Sequence, residues 1–272
     1  MCSESEILER VKNALDEAVG VLSQFVSGGV KADRKPSDRT LVTEADHALN
    51  RVLRRSLLRD HEGWLSEESM DDLERLQKHR VWVVDPLDGT KEFVAGIPEW
   101  SISIAMVEGG RAIAGGVCNP ATGEIFLGSK ATGVTYNGKQ ARASQKECLD
   151  GAMVLASRSE VEHGEWASFQ KISLTIQPVG SVAYKLARVA AGLADATWTL
   201  IPKNEWDVAA GVALIEAAGG CVQFLPNSTP TFNNKSTLLP GLFACGPLMR
   251  DPITSLLRHS IQPPGIPPIA YP

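Results

Sequence analysis

The sequence predicts a globular protein of the α/β class, with a helical start, an antiparallel sheet in its middle and strands alternating with helices in its second half. Apolar residues recur at three- and four-residue steps from Ile7 to Val26, which is typical of an amphipathic helix. Short alternating runs between Trp100 and about Arg142 are separated by Gly-Gly, Pro and Asn-Gly, which predicts an antiparallel meander. After Cys148, strand-like and helix-like segments follow one another, as in α/β proteins.

The other elements can be assigned in order along the chain. The first helix is expected to stop at Gly28-Gly29, and a polar loop from Val30 to Arg39 leads to Thr43, a suitable N-cap for a second helix. The continuous apolar run Val81–Val84 predicts a buried strand that stops at Asp85. In the second half we predict strands at 152–157, 174–179, 196–200, 221–225 and 242–246, and helices at 162–171, 182–191 and 205–218.

Composition and charge exclude several classes of protein. The 272 residues are 43% apolar and 22% charged, which is unlike a disordered, collagen-like or coiled-coil chain. The net charge is −5 without a basic block, so that we expect neither a nucleic-acid polymer nor a membrane surface as a partner. The five cysteines are widely spaced without a CxxC pair, which predicts reduced thiols and a cytoplasmic location. We expect no signal peptide and no membrane span, because no apolar run is long enough.

These patterns divide the chain into three predicted parts. An N-terminal α+β half covers residues 1–145 and a C-terminal α/β half covers residues 146–262. A proline-rich surface tail covers residues 263–272, where proline removes the backbone donors that a helix or a central strand needs.

The segment VWVVDPLDGTKEF carries the clearest chemical pattern. Asp85 and Asp88 come at the carboxyl end of a predicted buried strand, a place where ligands commonly bind. Pro86 fixes the backbone between them, Gly89 permits close approach to a ligand, and a helical turn from Thr90 can offer free amides to a phosphate. Taken alone, the motif is equally compatible with an ordinary turn at the end of a strand.

Other acidic residues have two interpretations as well. Glu67 and Glu68 form either a solvated acidic loop or part of a site. Asp207 follows Asn204 at the start of an Ala-rich helix, so that it serves as a capping carboxylate, as a metal ligand, or as both. Four acids from three strand or helix ends form a magnesium site if they converge, and the spacing alone leaves that open.

Three motifs together carry a family resemblance. GWLSEES, DPLDGTKEF and EWDVAAGVALIEAAGG resemble, in order and separation, the lithium-sensitive, magnesium-dependent phosphatases of the inositol monophosphatase superfamily. The resemblance runs from LVTEADHALN (Leu41–Asn50) to Gly219-Gly220. It implies a layered α-β-α-β-α fold, the sugar-phosphatase fold, in which an antiparallel half packs beside a mixed α/β half. Homodimers are common in this superfamily, so that dimerisation is a further expectation.

The resemblance also implies roles for individual residues. It assigns the metal ligands of two or three Mg²⁺ ions to Glu67, Asp85, Asp88, Asp207 and the carbonyl of Leu87. It assigns catalysis to Thr90, Asp46 and Glu67, where Thr90 and Asp46 orient the attacking water. It assigns contacts with the substrate to Asp88, Gly89, Thr90, Lys35, Gly180 and Ser181, the last two lining the leaving-group pocket. Considered locally, Asp46 is also a first-turn helix acid and Lys35 also a surface lysine.

Two motifs bear on the substrate, a small phosphorylated metabolite. DPLDGTKEF and the SRS of ASRSE resemble the bacterial 3′(2′),5′-bisphosphate nucleotidase (CysQ-like) branch, which implies adenosine 3′,5′-bisphosphate. Leu200 stands where animal inositol monophosphatases carry a glutamate for the inositol hydroxyls.

Other segments keep the alternatives open. GSVAYKLARVAAGLAD and FVAGIPEWSIS are similar to inositol and sugar phosphatases, so that inositol 1-phosphate or a sugar bisphosphate is the first alternative. A catalytically silent regulatory protein that binds phosphorylated ligands is the second. Lys185 and Arg158 are either contacts for a second phosphate or surface charges, and Tyr184 and Trp198 either stack on a base or belong to the core.

Overall fold

A computed structural model describes residues 3–25, 31–35 and 41–261 of the protein. Its α-helices are α1 Glu4–Leu22, α2 Glu44–Leu57, α3 Thr90–Ala95, α4 Arg158–Glu162, α5 Val182–Ala190, α6 Glu205–Ala217 and α7 Arg250–Ile261. Its strands are β1 Ala32–Arg34, β2 Leu41–Thr43, β3 Gly63–Ser66, β4 Arg80–Asp88, β5 Ser101–Glu108, β6 Arg111–Asn119, β7 Glu124–Ser129, β8 Gly133–Tyr136, β9 Lys139–Ala141, β10 Ala152–Ser157, β11 Leu174–Val179, β12 Ala196–Thr199, β13 Lys203–Asn204, β14 Cys221–Phe224, β15 Leu238–Leu239 and β16 Leu242–Cys245. None of the helices in these described ranges is long and apolar enough to cross a membrane.

Strands β3 to β9 form a seven-stranded sheet in chain order. Strand β3 pairs with β4 in parallel, and every later neighbour is antiparallel. The meander predicted between Trp100 and Arg142 is therefore confirmed. Its parallel first pair is the feature that places two acidic strand ends side by side.

Strand β4 is buried on both faces because helices cover the sheet from either side. Trp82 and Val84 pack with residues of α1 and α2, whereas Val81 and Val83 pack with residues of α5 and α6. Successive side chains of a strand point to opposite faces, so that a strand between two helical layers must be apolar at every position. This explains the continuous apolar run in the sequence.

The contact between the sheet and helix α6 is unusually close at Gly115 in β6. A Cβ atom at this position would lie 2.6 Å from the carbonyl oxygen of Ala210 in α6. Only glycine lets the two backbones approach this closely. The start of α6, which contains Asp207, is therefore pressed against the sheet.

The second sheet has five strands in the order β11-β10-β12-β16-β14. Its β10 pairs are parallel and its β16 pairs are antiparallel, so that it is a mixed sheet. Helices α5 and α6 cover one face, and α7 packs on the other through Ile253 and Leu257, against Trp198 and Phe243. The layers are thus α1/α2, the seven-stranded sheet, α5/α6, the five-stranded sheet and α7, which confirms the predicted α-β-α-β-α fold.

Several details of the prediction are wrong. The first helix ends at Leu22, and its expected stop at Gly28-Gly29 lies outside the described residues. The expected loop from Val30 to Arg39 contains β1, which pairs with β2. Instead of a helix over 162–171, the chain forms the short α4 and a 3₁₀ turn at Phe169–Lys171.

The end of the chain adds one element that the sequence reasoning missed. Helix α7 has Pro252 in its first turn, where proline is tolerated. The predicted tail at 263–272 lies outside the described residues. The boundary at residue 145/146 stays a prediction; the change from one sheet to the other falls between Ala141 and Ala152.

Candidate active site

The parallel pairing of β3 with β4 brings the first two acidic segments together. Ser66 is opposite Val84 in the register, and the backbone N–H of Glu67 donates to the carbonyl of Val84 at 3.3 Å. Glu67 therefore leaves its strand beside Asp85. The carboxyl ends of parallel strands meet at one edge of a sheet, which is why two motifs 18 positions apart reach the same place.

A bulge at the end of β4 sets the geometry of the DPLDG motif. Asp85 is opposite Ser103 and Asp88 is opposite Ser101, with a register shift between the two acids. Asp85 Oδ1 accepts from the backbone N–H of Leu87 at 3.0 Å, and the carbonyl of Leu87 accepts from Thr90 Oγ1 at 3.2 Å. The bulge thus holds both acids and the Leu87 carbonyl within one tight turn.

Helix α6 brings the fourth acid to the same place. The carbonyl of Trp206, next to Asp207, accepts from Ser103 Oγ at 3.3 Å, and Ser103 is the partner of Asp85 in the sheet. Asp207 Oδ2 also accepts from the backbone N–H of Asn204 at 2.8 Å, which closes a capping box. The predicted capping role is therefore present, and it uses one of the two carboxylate oxygens.

The four carboxyl groups influence one another strongly. Burial raises the pKa of Asp85 well above its usual range, and the charges of Glu67, Asp88 and Asp207 raise it further. Burial and the charges of Asp88 and Glu67 do the same to the pKa of Asp207. Asp85 is only 1% exposed, whereas Asp88 and Asp207 are half-buried. A partly open cluster of like charges is a favourable place for a cation.

Protein donors occupy part of this cluster. Asp88 Oδ2 accepts from Ser181 Oγ and from the backbone N–H of Ala183, both at 2.7 Å. Glu67 accepts from Lys35 at 2.7 Å. Within the described ranges, no three His, Cys, Asp or Glu side chains are close enough together to bind one metal ion as they stand. The acids are neighbours, and two of them, Asp88 and Glu67, are hydrogen-bonded to protein donors.

Asp46 and Thr90 meet beside this cluster. Asp46 Oδ2 accepts from the backbone N–H and the Oγ1 of Thr43, at 2.8 and 2.6 Å, and so caps α2. Asp46 Oδ1 accepts from Thr90 Oγ1 at 3.3 Å. The two interpretations of Asp46 are therefore compatible, since each uses a different oxygen. Burial raises the pKa of Asp46 although the bonds from Thr43 oppose the shift.

The turn at Gly89 exposes the start of α3. Gly89 has a φ of +96°, and the first intrahelical bond is the one that Phe93 N–H donates to its carbonyl. The amides of Thr90, Lys91 and Glu92 therefore precede the first bonded turn of this helix. This arrangement is the one that the sequence predicted for a phosphate-binding turn.

Lys35 is not a free surface lysine. Its ammonium group contacts Glu67 at 2.7 Å and Glu68 at 2.5 Å, and its side chain is 14% exposed. The side chain of Glu68 is 4% exposed, so that the alternative of a solvated acidic loop is wrong as well. The carbonyl of Glu68 is held by Asn50, whose amide donates to it at 3.0 Å. Asn50 was not singled out as a site residue from the sequence, and Glu68 was given no role of its own.

Gly180 and Ser181 lie against the acidic cluster, as their predicted role requires. Ser181 Oγ donates to Asp88 and accepts from the backbone N–H of Tyr184, which caps α5. Ser181 has a φ of +55°, which is strained for a residue other than glycine. A Cβ atom at Gly180 would lie 2.5 Å from Glu92 Cγ, so that this position has room only for glycine.

The structure also places Lys185 and Arg158, for which the sequence left two interpretations open. Lys185 is 4% exposed, and its ammonium donates to the carbonyls of Ser181 at 2.9 Å and Val179 at 3.2 Å, so that the surface-charge interpretation is wrong. Burial lowers the pKa of Lys185 to about 8. Arg158 contacts Glu99 at 2.5 Å with a side chain that is 30% exposed.

Neither aromatic candidate is available for stacking on a base. Tyr184 is 4% exposed and donates its hydroxyl to Glu124. Trp198 is 1% exposed and stacks on Trp166 with ring centroids 4.9 Å apart. Both belong to the core, in agreement with the second of the two predicted interpretations.

Comparison with known proteins agrees with this geometry. A model of the inositol monophosphatase family matches residues 4–250. The inositol-1-monophosphatase of Rhizobium meliloti is 32% identical over 233 residues, which cover 82% of this chain and 83% of that protein. The fructose-1,6-bisphosphatase/inositol-1-monophosphatase of Thermotoga maritima is 33% identical over 196 residues, which cover 70% of this chain and 73% of that protein.

A solved structure shows the same likeness in three dimensions. CysQ from Bacteroides thetaiotaomicron, a bacterial member of the inositol monophosphatase family, has a TM-score of 0.72 at 26% identity, with coverage of 86% of this chain and 97% of that one. The family resemblance read from the motifs is thereby confirmed. The chain belongs to the inositol monophosphatase family, a metal-dependent family of phosphoric monoester hydrolases.

Proposed function

We propose that this protein is a magnesium-dependent phosphatase that hydrolyses small phosphomonoesters by attack of water. The observation that carries the proposal is the meeting of two groups of residues. Acids from β3, β4 and α6 lie together, and the Thr90–Asp46 pair adjoins them. The atoms of this cluster that could bind a metal ion are carboxylate, carbonyl and hydroxyl oxygens, which favours a metal-dependent hydrolysis.

The donor set fits magnesium. Carboxylate and carbonyl oxygens are the ligands that this hard cation prefers. Burial raises the pKa values of all four acids, and like charges raise those of Glu67, Asp85 and Asp207 as well, so that a bound divalent cation would relieve a repulsion already present. We propose these four side chains and the Leu87 carbonyl as ligands of two or three ions. Bound magnesium would supply charge neutralisation and a water of lowered pKa.

The protein's own groups would position the reactants. The amides at the start of α3, after Gly89, are oriented to bind phosphate oxygens. Asp46, with its raised pKa, would accept a proton from a water held by Thr90 Oγ1. Lys35 adds a positive charge beside Glu67, and Glu67 would assist in orienting the water.

Gly180 and Ser181 would border the leaving group. Ser181 holds Asp88 by a hydrogen bond, and Gly180 packs directly against Glu92 and the carbonyl of Glu99. Any side chain at Gly180 would clash with both and displace the residues around the pocket. The two residues therefore couple the shape of the leaving-group pocket to the position of a metal ligand.

We propose adenosine 3′,5′-bisphosphate as the first candidate substrate, on the basis of the DPLDGTKEF and SRS motifs. Leu200, which is 40% exposed, offers no carboxylate for inositol hydroxyls, and this supports the choice. The names of the two relatives described above favour inositol 1-phosphate or a sugar bisphosphate as the second candidate. A silent regulatory protein is disfavoured because it has no need of every catalytic group. A cytoplasmic location and a homodimer remain predictions.

The test is a parallel measurement of phosphate release. Adenosine 3′,5′-bisphosphate, inositol 1-phosphate and fructose 1,6-bisphosphate are each incubated with the protein, with magnesium and with EDTA. We expect release that requires magnesium and is fastest with the nucleotide. A preference for inositol or sugar phosphate would retain the metal site and reject the nucleotide assignment. Absence of magnesium-dependent release from all three would contradict the proposed function.

A further inference from the structure

Two cysteines outside the active site face each other across neighbouring strands. In the antiparallel pair of β14 and β16, Cys221 is directly opposite Cys245. Residues paired in this way project to the same face of a sheet, with Cα atoms about 4.5–5.5 Å apart. This separation lies within the range that a disulfide spans. The two thiols are also hydrogen-bonded to each other.

The two thiols differ in access and in acidity. Cys221 is half-buried on β14, which is an edge strand, and Cys245 is 0% exposed. The hydrogen bond from Cys245 lowers the pKa of Cys221 to about 7 against the effect of burial, and Arg250 contributes to the lowering. The same hydrogen bond raises the pKa of Cys245. Cys221 is therefore suited to be the attacking thiolate.

The other described cysteines lack this arrangement. Cys118 is buried against the first helical layer, and burial raises its pKa to about 12. Cys148 is exposed, and it is neither in a strand nor opposite another cysteine in the sheet registers. Cys148 therefore provides an internal control for simple solvent access.

We propose that Cys221 and Cys245 form a reversible intramolecular disulfide on exposure to a small-molecule disulfide such as oxidised glutathione. The Cys221 thiolate attacks one glutathione sulfur, and a glutathione thiolate leaves. Cys245 then loses its proton to solvent and attacks Cys221 Sγ, which releases the second glutathione. Two protein thiols are oxidised to one disulfide, and one glutathione disulfide is reduced to two thiols. The bond that raises the pKa of Cys245 is lost once Cys221 is no longer a thiolate, which aids the second step.

The position of this pair predicts its effect. The disulfide would tie the edge strand β14 to β16 and close the segment between residues 221 and 245. Asp207 lies ten residues before the end of α6 at Ala217, which is about 15 Å along the helix axis. We therefore expect phosphatase activity to change by less than about twofold, while the thermal midpoint rises on the order of 5 °C.

Peptide mapping tests the cross-link without reference to activity. The whole protein is treated with oxidised glutathione near pH 7.5, the remaining thiols are alkylated, and the protein is digested with trypsin without reduction. Cleavage after Lys203, Lys235 and Arg250 places the two cysteines on the adjacent peptides 204–235 and 236–250. We expect these peptides to be recovered joined, and separated by dithiothreitol.

Two variants complete the test, and two outcomes would overturn the proposal. C148S should keep the joined peptides, and C221S should lose them and the rise in thermal midpoint. If C221S fails to fold, the wild-type map still decides the question. The proposal is overturned if Cys221 and Cys245 are both recovered alkylated while Cys148 has reacted with glutathione, or if Cys221 retains glutathione and Cys245 stays free.

Discussion

Ser181 offers a sharp test of how the site is built. Its hydroxyl donates to Asp88 Oδ2 at 2.7 Å and accepts from Tyr184 N–H at 3.0 Å, while Ser101 Oγ lies 2.9 Å away. One donor and two acceptors are all that a serine hydroxyl provides, so that the group is fully used. Alanine at this position would remove every one of these contacts at once.

The expected magnitude follows from those contacts. A hydrogen bond to a charged group contributes about 1.5–3 kcal/mol, and an N-cap contributes about 1 kcal/mol. We therefore expect S181A to lower the free energy of unfolding by about 3 kcal/mol. S181G loses the same hydroxyl but relieves the φ of +55°, so that it should be more stable than S181A by about 1 kcal/mol.

The assay is urea unfolding in EDTA, followed by tryptophan fluorescence, together with a magnesium titration of phosphatase activity. Loss of the group that orients a metal ligand typically weakens metal binding by about tenfold or more, so that the half-saturating magnesium concentration should rise in both variants. The reasoning is refuted if S181A lies within 1 kcal/mol of the wild type, or if its magnesium requirement is unchanged. Alanine more stable than glycine would refute the role of backbone strain.

Three further predictions concern the metal cluster. Asp88→Asn should reduce turnover by orders of magnitude with an unchanged circular dichroism spectrum, and near-wild-type hydrolysis would reject Asp88 as a ligand. The pKa values of Asp85 and Asp207 are raised in the folded protein. Each carboxyl group therefore contributes its full stabilisation below the ordinary pKa of about 4, where it is protonated in both states. This contribution is lost as the pH rises through the folded-state pKa. In EDTA the free energy of unfolding should thus fall with rising pH, and magnesium should reverse the fall. Urea titrations at several pH values, with and without magnesium, measure this. A fall that magnesium leaves unchanged would argue against binding at these acids. Lithium should inhibit in competition with magnesium, and inhibition that is independent of the magnesium concentration would contradict a shared position.

The elements were predictable where the pattern was local. Thr43 and Asp46 stand three residues apart at the start of an amphipathic helix, and the capping box follows from that spacing. The run Val81–Val84 was readable as a buried strand for the same reason. The helix expected over 162–171 does not form because long-range packing organises the segment, such as the stacking of Trp166 on Trp198.

The residues of the candidate site could be predicted from the sequence, but the contacts between them could not. That Glu67 reaches Asp85 depends on the parallel pairing of two strands, which no local pattern reveals. Lys185 was left open between a contact for a second phosphate and a surface charge, although its place among apolar residues of a predicted helix was a usable signal of burial. Lys35 was predicted as a substrate contact or a surface lysine, and only the fold shows its two carboxylate partners.

The close contact between Gly115 in β6 and helix α6 helps to determine the geometry of the active site. Ala210, whose carbonyl faces this glycine, lies three residues after Asp207, or about one helical turn. A methyl group at Gly115 would push the start of α6 outward and carry Asp207 away from Asp85. Loss-of-function substitutions should therefore be found in the middle of β6, at a position that touches neither metal nor substrate. A design that enlarges residues in this layer would disable the enzyme while leaving its active-site sequence intact.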